Sequence, residues 1–166
     1  VKKGYEVVGV GKIGDIFAHR GLTREIHATN NRDGVLKTIE SIRRDFKGII
    51  FTNLIDFDMR YGHRNNPEGY AEALESFDKS LPEIVDALKA GDVIIITADH
   101  GCDPTTLSTD HSREYVPLLV FGKKLNKPGS LGIRNSFADI GATVSEALLE
   151  SRLDKGESFF TELISN

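Results

Sequence analysis

Three short segments carry the residue types that hold metal ions. Asp58-Met-Arg-Tyr-Gly-His63, Thr97-Ala-Asp-His-Gly101 and Thr109-Asp-His111 supply Asp58, Asp99 and three of the chain's five histidines, His63, His100 and His111. Carboxylate and imidazole donors together suit Mn²⁺, Zn²⁺ or Fe²⁺. No thiolate set is present, and no calcium-type oxygen cage is evident. Five ligands exceed what one tetrahedral ion takes and fall short of two filled sites. The pattern is that of a two-metal centre acting on phosphate esters, where one ion stabilises the attacking oxygen and the other the leaving oxygen. An Asp-His-Gly triplet alone is a turn with a solvated histidine, and His19 and His27, among polar neighbours, read that way. The joint placement of the five favours metal.

Other polar residues stand close by in sequence. Asp56, Asp103 and Asp110 flank the candidate ligands and either orient the imidazoles or serve as ordinary turn acids. Lys12, in Gly9-Val-Gly-Lys-Ile-Gly14, is able to meet a phosphate, but the spacing matches neither a P-loop nor a dinucleotide fingerprint. A surface lysine is the simpler reading. Thr97, Thr105, Thr106 and Thr109 lie near the centre with nothing marking one as a nucleophile.

The elements that must position these groups follow from periodicity. Apolar runs predict strands over 5–10, 48–55, 92–98 and 116–121. Val93-Ile-Ile-Ile-Thr97 is nearly continuous and β-branched, as in a strand covered on both faces. Val35, Leu36, Ile39, Ile42 and Phe46 share one helical face, with Asp33 as cap. Leu74, Phe77, Leu81, Ile84, Val85 and Leu88 form a second stripe entered through Asn66-Pro67. Pro82 falls within it and predicts a kink or two consecutive helices. A third helix follows Ser136-Phe-Ala-Asp139, a capping-box variant, with Phe137, Ile140, Val144 and Leu148 inward. A short helix or strand is expected after Arg152, and the Lys123–Asn135 loop is the expected mobile surface segment. Alternating strands and helices imply an α/β fold with a mainly parallel sheet flanked by helices. Asp58 and His63 then follow one strand and Asp99 and His100 another, so both pairs reach the carboxyl rim where open sheets bind ligands. His111 precedes the fourth strand and can fold back to that rim.

Bulk properties bound the rest. A chain of 166 residues with a formal charge of −4 is globular in composition, with dispersed lysines and no nucleic-acid footprint. No apolar stretch is long enough to span a bilayer. One cysteine, Cys102, precludes an intrachain disulfide and suits a reducing cytoplasm. The opening Val-Lys-Lys-Gly-Tyr-Glu-Val-Val reads as the end of a helix, a glycine stop and a strand. It suggests a segment of a longer protein.

Phe51-Thr-Asn-Leu-Ile-Asp-Phe-Asp-Met-Arg-Tyr-Gly-His-Arg64, Thr97-Ala-Asp-His-Gly101 with Asp103-Pro104, and Thr109-Asp-His-Ser-Arg-Glu-Tyr-Val-Pro117 resemble the C-terminal part of the core domain of bacterial phosphopentomutases, in the alkaline phosphatase superfamily. Lys12-Ile13 with Asp15-Ile-Phe17, and Phe137-Ala-Asp-Ile-Gly-Ala-Thr143, extend the likeness across residues 1–166. Four residues separate Asp58 from His63, whereas cofactor-independent phosphoglycerate mutases and alkaline phosphatases usually have three. The resemblance implies an alkaline-phosphatase-like core, here partial, with two manganese ions. Asp58, His63 and His111 would hold one ion and Asp99 and His100 the other. It further implies a sugar phosphate substrate, a phosphorylated threonine and another aspartate in an absent N-terminal core segment, an absent cap domain, and a cytoplasmic role in nucleoside salvage. Cys102 stands where the family more often has Asn, and His19 where Gly is usual. Phosphoglycerate mutase, metal-dependent phosphohydrolase and non-catalytic metal-binding fragment are the alternative readings.

Overall fold

The computed structural model describes residues 3–125 and 128–164. Val1 and Lys2, half of the expected helix end, lie outside the described residues, as do Asn126 and Lys127 of the expected mobile loop.

Three parallel strands form the first ladder: β1 (Glu6–Val10), β2 (Arg24–Ile26) and β3 (Gly48–Thr52), in the order β2-β1-β3. Between β1 and β2 runs a single turn, α1 (Ile13–Ile16), and between β2 and β3 the helix α2 (Asn31–Arg43). Val8 and Val10 alternate inward from β1 and are fully buried with Ala28, Ile26, Phe46 and Ile50. Gly9, their outward neighbour, lies in register with Phe51. That second face carries α1, whose following residue Phe17 meets Phe51 edge-on at 6.2 Å between ring centroids.

A π-helical turn (Phe57–Tyr61) and a 3₁₀ turn (Gly62–Arg64) lead from β3 into α3 (Pro67–Ala87). Helices α2 and α3 pack through Val35, Ile39, Ile42, Ile84 and Leu88, with Ile50 of β3 and Ile94 against the same cluster. After α3 come β4 (Val93–Thr97) and β5 (Leu118–Gly122), then α4 (Ala138–Leu149) and α5 (Phe160–Ile164). Phe159, just before α5, is fully buried.

The architecture is α/β with a parallel sheet flanked by helices, and several details depart from expectation. Strand β2 was not foreseen, being three residues long and mostly polar. Strands β4 and β5 pair antiparallel in a ladder of their own; the β-branched run of β4 is half-buried at its centre and exposed at Val93 rather than covered on both faces. The cap of α2 is Asn30, whose side chain accepts from the Asp33 amide, while Asp33 accepts from Thr29 and Lys37. Pro82 lies inside one continuous α3, so no second helix begins there. Ser136 Oγ accepts from the Ala138 amide, but Asp139 turns to the Glu157 amide instead of closing a capping box. Leu36, Leu74 and Phe137 are exposed rather than inward.

Candidate metal centre

Asp58 lies in the π-helical turn and His63 in the 3₁₀ turn that follows β3. Asp99 and His100 follow β4 after one intervening residue, Ala98, and His111 lies on the excursion between β4 and β5. The two arms of that excursion are tied by a bridge between Gly101 and Ser112. A Cβ on Gly101 would sit 2.6 Å from the Ser112 carbonyl oxygen, so only glycine permits the approach.

Around Asp58 the donors converge. Its Oδ1 lies 3.2 Å from His63 Nε2, 3.2 Å from His111 Nε2 and 4.0 Å from His100 Nε2. That oxygen is buried and has no hydrogen-bond partner, so the 3.2 Å neighbours are not aligned as donors to it. Donor atoms of Asp58, His100 and His111 all lie within 4.8 Å of one another. The His100 and His111 rings stack at 3.6 Å, and His63 and His111 tilt together at 4.9 Å. Asp99 stands at the outer margin, its side chain 73% exposed and its Oδ1 3.7 Å from His100 Nε2. An unpaired buried carboxylate oxygen ringed by imidazole nitrogens costs free energy unless a cation sits among them. These donors fit a divalent ion.

Two of the three imidazoles that reach inward with Nε2, His63 and His100, have the other nitrogen on a backbone oxygen. His63 Nδ1 meets the Thr109 carbonyl at 2.5 Å and His100 Nδ1 the Gly101 carbonyl at 2.9 Å. These carbonyls orient the two rings, which is one of the two roles open to the nearby aspartates. Among the described hydrogen bonds, Asp56, Asp103 and Asp110 contact no imidazole. Asp56, 8% exposed, accepts from the Asn31 amide at the start of α2, and the Asp56 amide in turn donates to Asn31 Oδ1. Asp103 accepts from the amide and hydroxyl of Thr105, which hold its carboxyl below the usual range. Asp110 donates its amide to Ser108 Oγ. His19 pairs with Glu25 at 2.8 Å on β2, and among the described hydrogen bonds His27 takes part through its carbonyl, which accepts from Lys37.

Cys102 and Tyr70 complete the surroundings. Burial, then the charge of Asp58, pushes the Cys102 thiol up; burial, then Cys102 and Asp58, does the same to Tyr70. Lys12 extends its ammonium to Met59 Sδ at 2.7 Å, one residue from Asp58. A cleft of about 380 Å³ between the 133–139 and 154–157 segments shares no residue with the cluster.

An α/β core that gathers carboxylate and imidazole donors beyond the ends of β3 and β4 defines a metal-dependent enzyme class. The chain belongs to the metalloenzyme superfamily, whose family model matches residues 6–151. It is 58% identical over 164 residues to a phosphopentomutase from Carboxydothermus hydrogenoformans, covering 98% of this chain and 42% of that relative. It is 56% identical over 164 residues to one from Acetivibrio thermocellus, covering 99% and 42%. The chain therefore spans less than half the length of these relatives. In structure it is similar to PH0037 protein from Pyrococcus horikoshii, with a TM-score of 0.58 and 26% identity over 70% of this chain and 32% of that one. Among the described residues no helix is long and apolar enough to cross a membrane.

Proposed function

We propose that residues 1–166 form the C-terminal part of the metal-binding core of a phosphopentomutase. The full-length enzyme interconverts (deoxy)ribose 1-phosphate and (deoxy)ribose 5-phosphate, in the cytoplasm, for nucleoside salvage. One observation carries this reading: the convergence of His63, His100 and His111 on the unpaired Asp58 Oδ1, within a chain 53% or more identical to phosphopentomutases along nearly all its length.

Asp58, His63 and His111 would hold one manganese ion, and Asp99 with His100 the second. When bound, such a pair would supply charge neutralisation at the phosphoryl oxygens of an in-line transfer. A phosphothreonine outside this chain passes its phosphoryl group to the substrate hydroxyl, giving a sugar bisphosphate. The other phosphate then returns to the threonine. Within this chain, Asp58 fixes the geometry of the centre, and the Thr109 and Gly101 carbonyls hold His63 and His100 in the metal-accepting orientation. The half-exposed Ile16, Phe17 and Phe51 are where the remainder of the core packs.

The test is turnover by the full-length protein supplied with Mn²⁺ and either ribose 1-phosphate or 3-phosphoglycerate. Formation of ribose 5-phosphate is expected. Turnover of 3-phosphoglycerate alone would make the protein a phosphoglycerate mutase and overturn the proposal.

A further inference from the structure

The loop that brings His111 to the cluster has little apolar anchoring of its own. From Cys102 to His111 no residue is buried, and Leu107 is fully exposed. Its internal bonds shape it locally: the Thr106 hydroxyl donates to the Asp103 carbonyl, and the Asp110 amide to Ser108 Oγ. Ser112 Oγ accepts from the Asp103 amide and closes the base. None of these fixes the loop relative to Asp58. Among the described hydrogen bonds two tethers do, and both come from the 3₁₀ turn and its exit. One is His63 Nδ1 on the Thr109 carbonyl; the other is Asn65, whose Nδ2 donates to the Thr106 carbonyl at 2.9 Å.

Asn65 is built for this contact in an unusual way. Its φ is +46°, a left-handed conformation that Asn, Asp and Gly tolerate and other side chains resist. Its amide Nδ2 faces the Thr106 carbonyl, which leaves Oδ1 buried without a donor. Turning the amide over would set two oxygens against each other, so the Thr106 carbonyl dictates the orientation. A left-handed backbone that few residues accept and an unsatisfied acceptor at one residue beside a site are the marks of a position held for its contact.

We propose that Asn65 is a positioning residue of the metal centre, a latch that fixes the His111 loop against the turn carrying Asp58 and His63. It rests on reading that cluster as a metal centre. Asn65 touches neither ion nor substrate; it sets the distance between Asp58 Oδ1 and His111 Nε2. Removing the latch leaves the loop on the His63 tether alone, and the site loosens.

Asn65→Asp and Asn65→Gly both accept the left-handed backbone, and both lack the donor. In the full-length protein each is expected to raise the Co²⁺ dissociation constant about 10-fold or more, the range seen when partners of metal ligands are lost. The visible spectrum of bound Co²⁺ should change as well. Asn66→Ala, which removes the neighbouring helix cap, should lower Tm while leaving Co²⁺ affinity and spectrum as they were, separating positioning from general weakening. If one Asn65 variant fails to fold, the other decides. Wild-type affinity and spectrum in a folded Asn65 variant would overturn the latch. Failure of the wild-type protein to bind Co²⁺ would instead overturn the metal centre, and the latch with it.

Discussion

Gly62 separates the turn bearing Asp58 from His63, and its φ of −61° is open to any residue. What it lacks is room. A Cβ there would lie 2.4 Å from Cys102 Sγ and 3.2 Å from the Phe57 carbonyl. Gly62→Ala must therefore push Cys102, and with it the adjoining His100 segment, away from Asp58. Overpacking of this kind costs about 1–3 kcal/mol. A matching fall in Tm and weaker Co²⁺ binding by calorimetry are expected; an alanine variant with both unchanged would show that the sulfur moves freely. At this scale the sequence was informative about chemistry that side chains advertise. Asp58, His63, His100 and His111 are recognisable because imidazoles and carboxylates recur at turns after apolar runs. The carbonyls of Thr109 and Gly101 are not, because a backbone oxygen has no letter of its own. Asp56 and Asp103 stay open between two roles in the sequence for a related reason: short acids next to turns are readily taken by nearby amides, here those of Asn31 and Thr105.

Between elements, the link from α1 to β2 gives a pH-dependent contribution with a definite sign. His19 hydrogen-bonds Glu25 and faces Asp15, and the Glu25 hydrogen bond, then its charge, raises the imidazole above the ordinary 6.5. A raised folded value means that folding binds the proton more tightly. The stabilisation is complete below the unfolded value and disappears as pH climbs through the folded one. His19→Asn keeps a residue that tolerates the positive φ of 58°. Urea denaturation across pH 5.5 to 8.5 should show the variant less stable than wild type at the acid end and converging with it at the alkaline end. A constant gap would remove the ion pair from the account. Periodicity located β1, β3, β4 and the helical stripes because each buries a face. It could not reveal β2, where Arg24 and Glu25 are exposed, nor the direction of β5, since a strand's own residues do not encode which way its neighbour runs. Asn30 and Asp33 compete for one helix start. The backbone geometry of Asn30 makes it the cap.

Across the whole molecule, the donors of the cluster lie within residues 1–166, whereas the proposed mechanism draws its nucleophile from elsewhere in the full-length protein. Expressed alone, these residues should take up Mn²⁺ or Co²⁺, read by equilibrium dialysis, and give no ribose 5-phosphate from ribose 1-phosphate. Catalysis by that piece would place the phosphoryl acceptor among its own side chains. The outer face of the parallel ladder, with Ile16, Phe17 and Phe51 half open, is where an added core segment would be felt first, and it adjoins Lys12 through α1. Residues 1–166 also hold a single cysteine, a partly covered thiol whose Sγ fills the space beside Gly62. An alkylating dye would therefore attach at one address only, beneath the carboxylate on which the histidines converge. The chain carries its own gauge of when that floor parts.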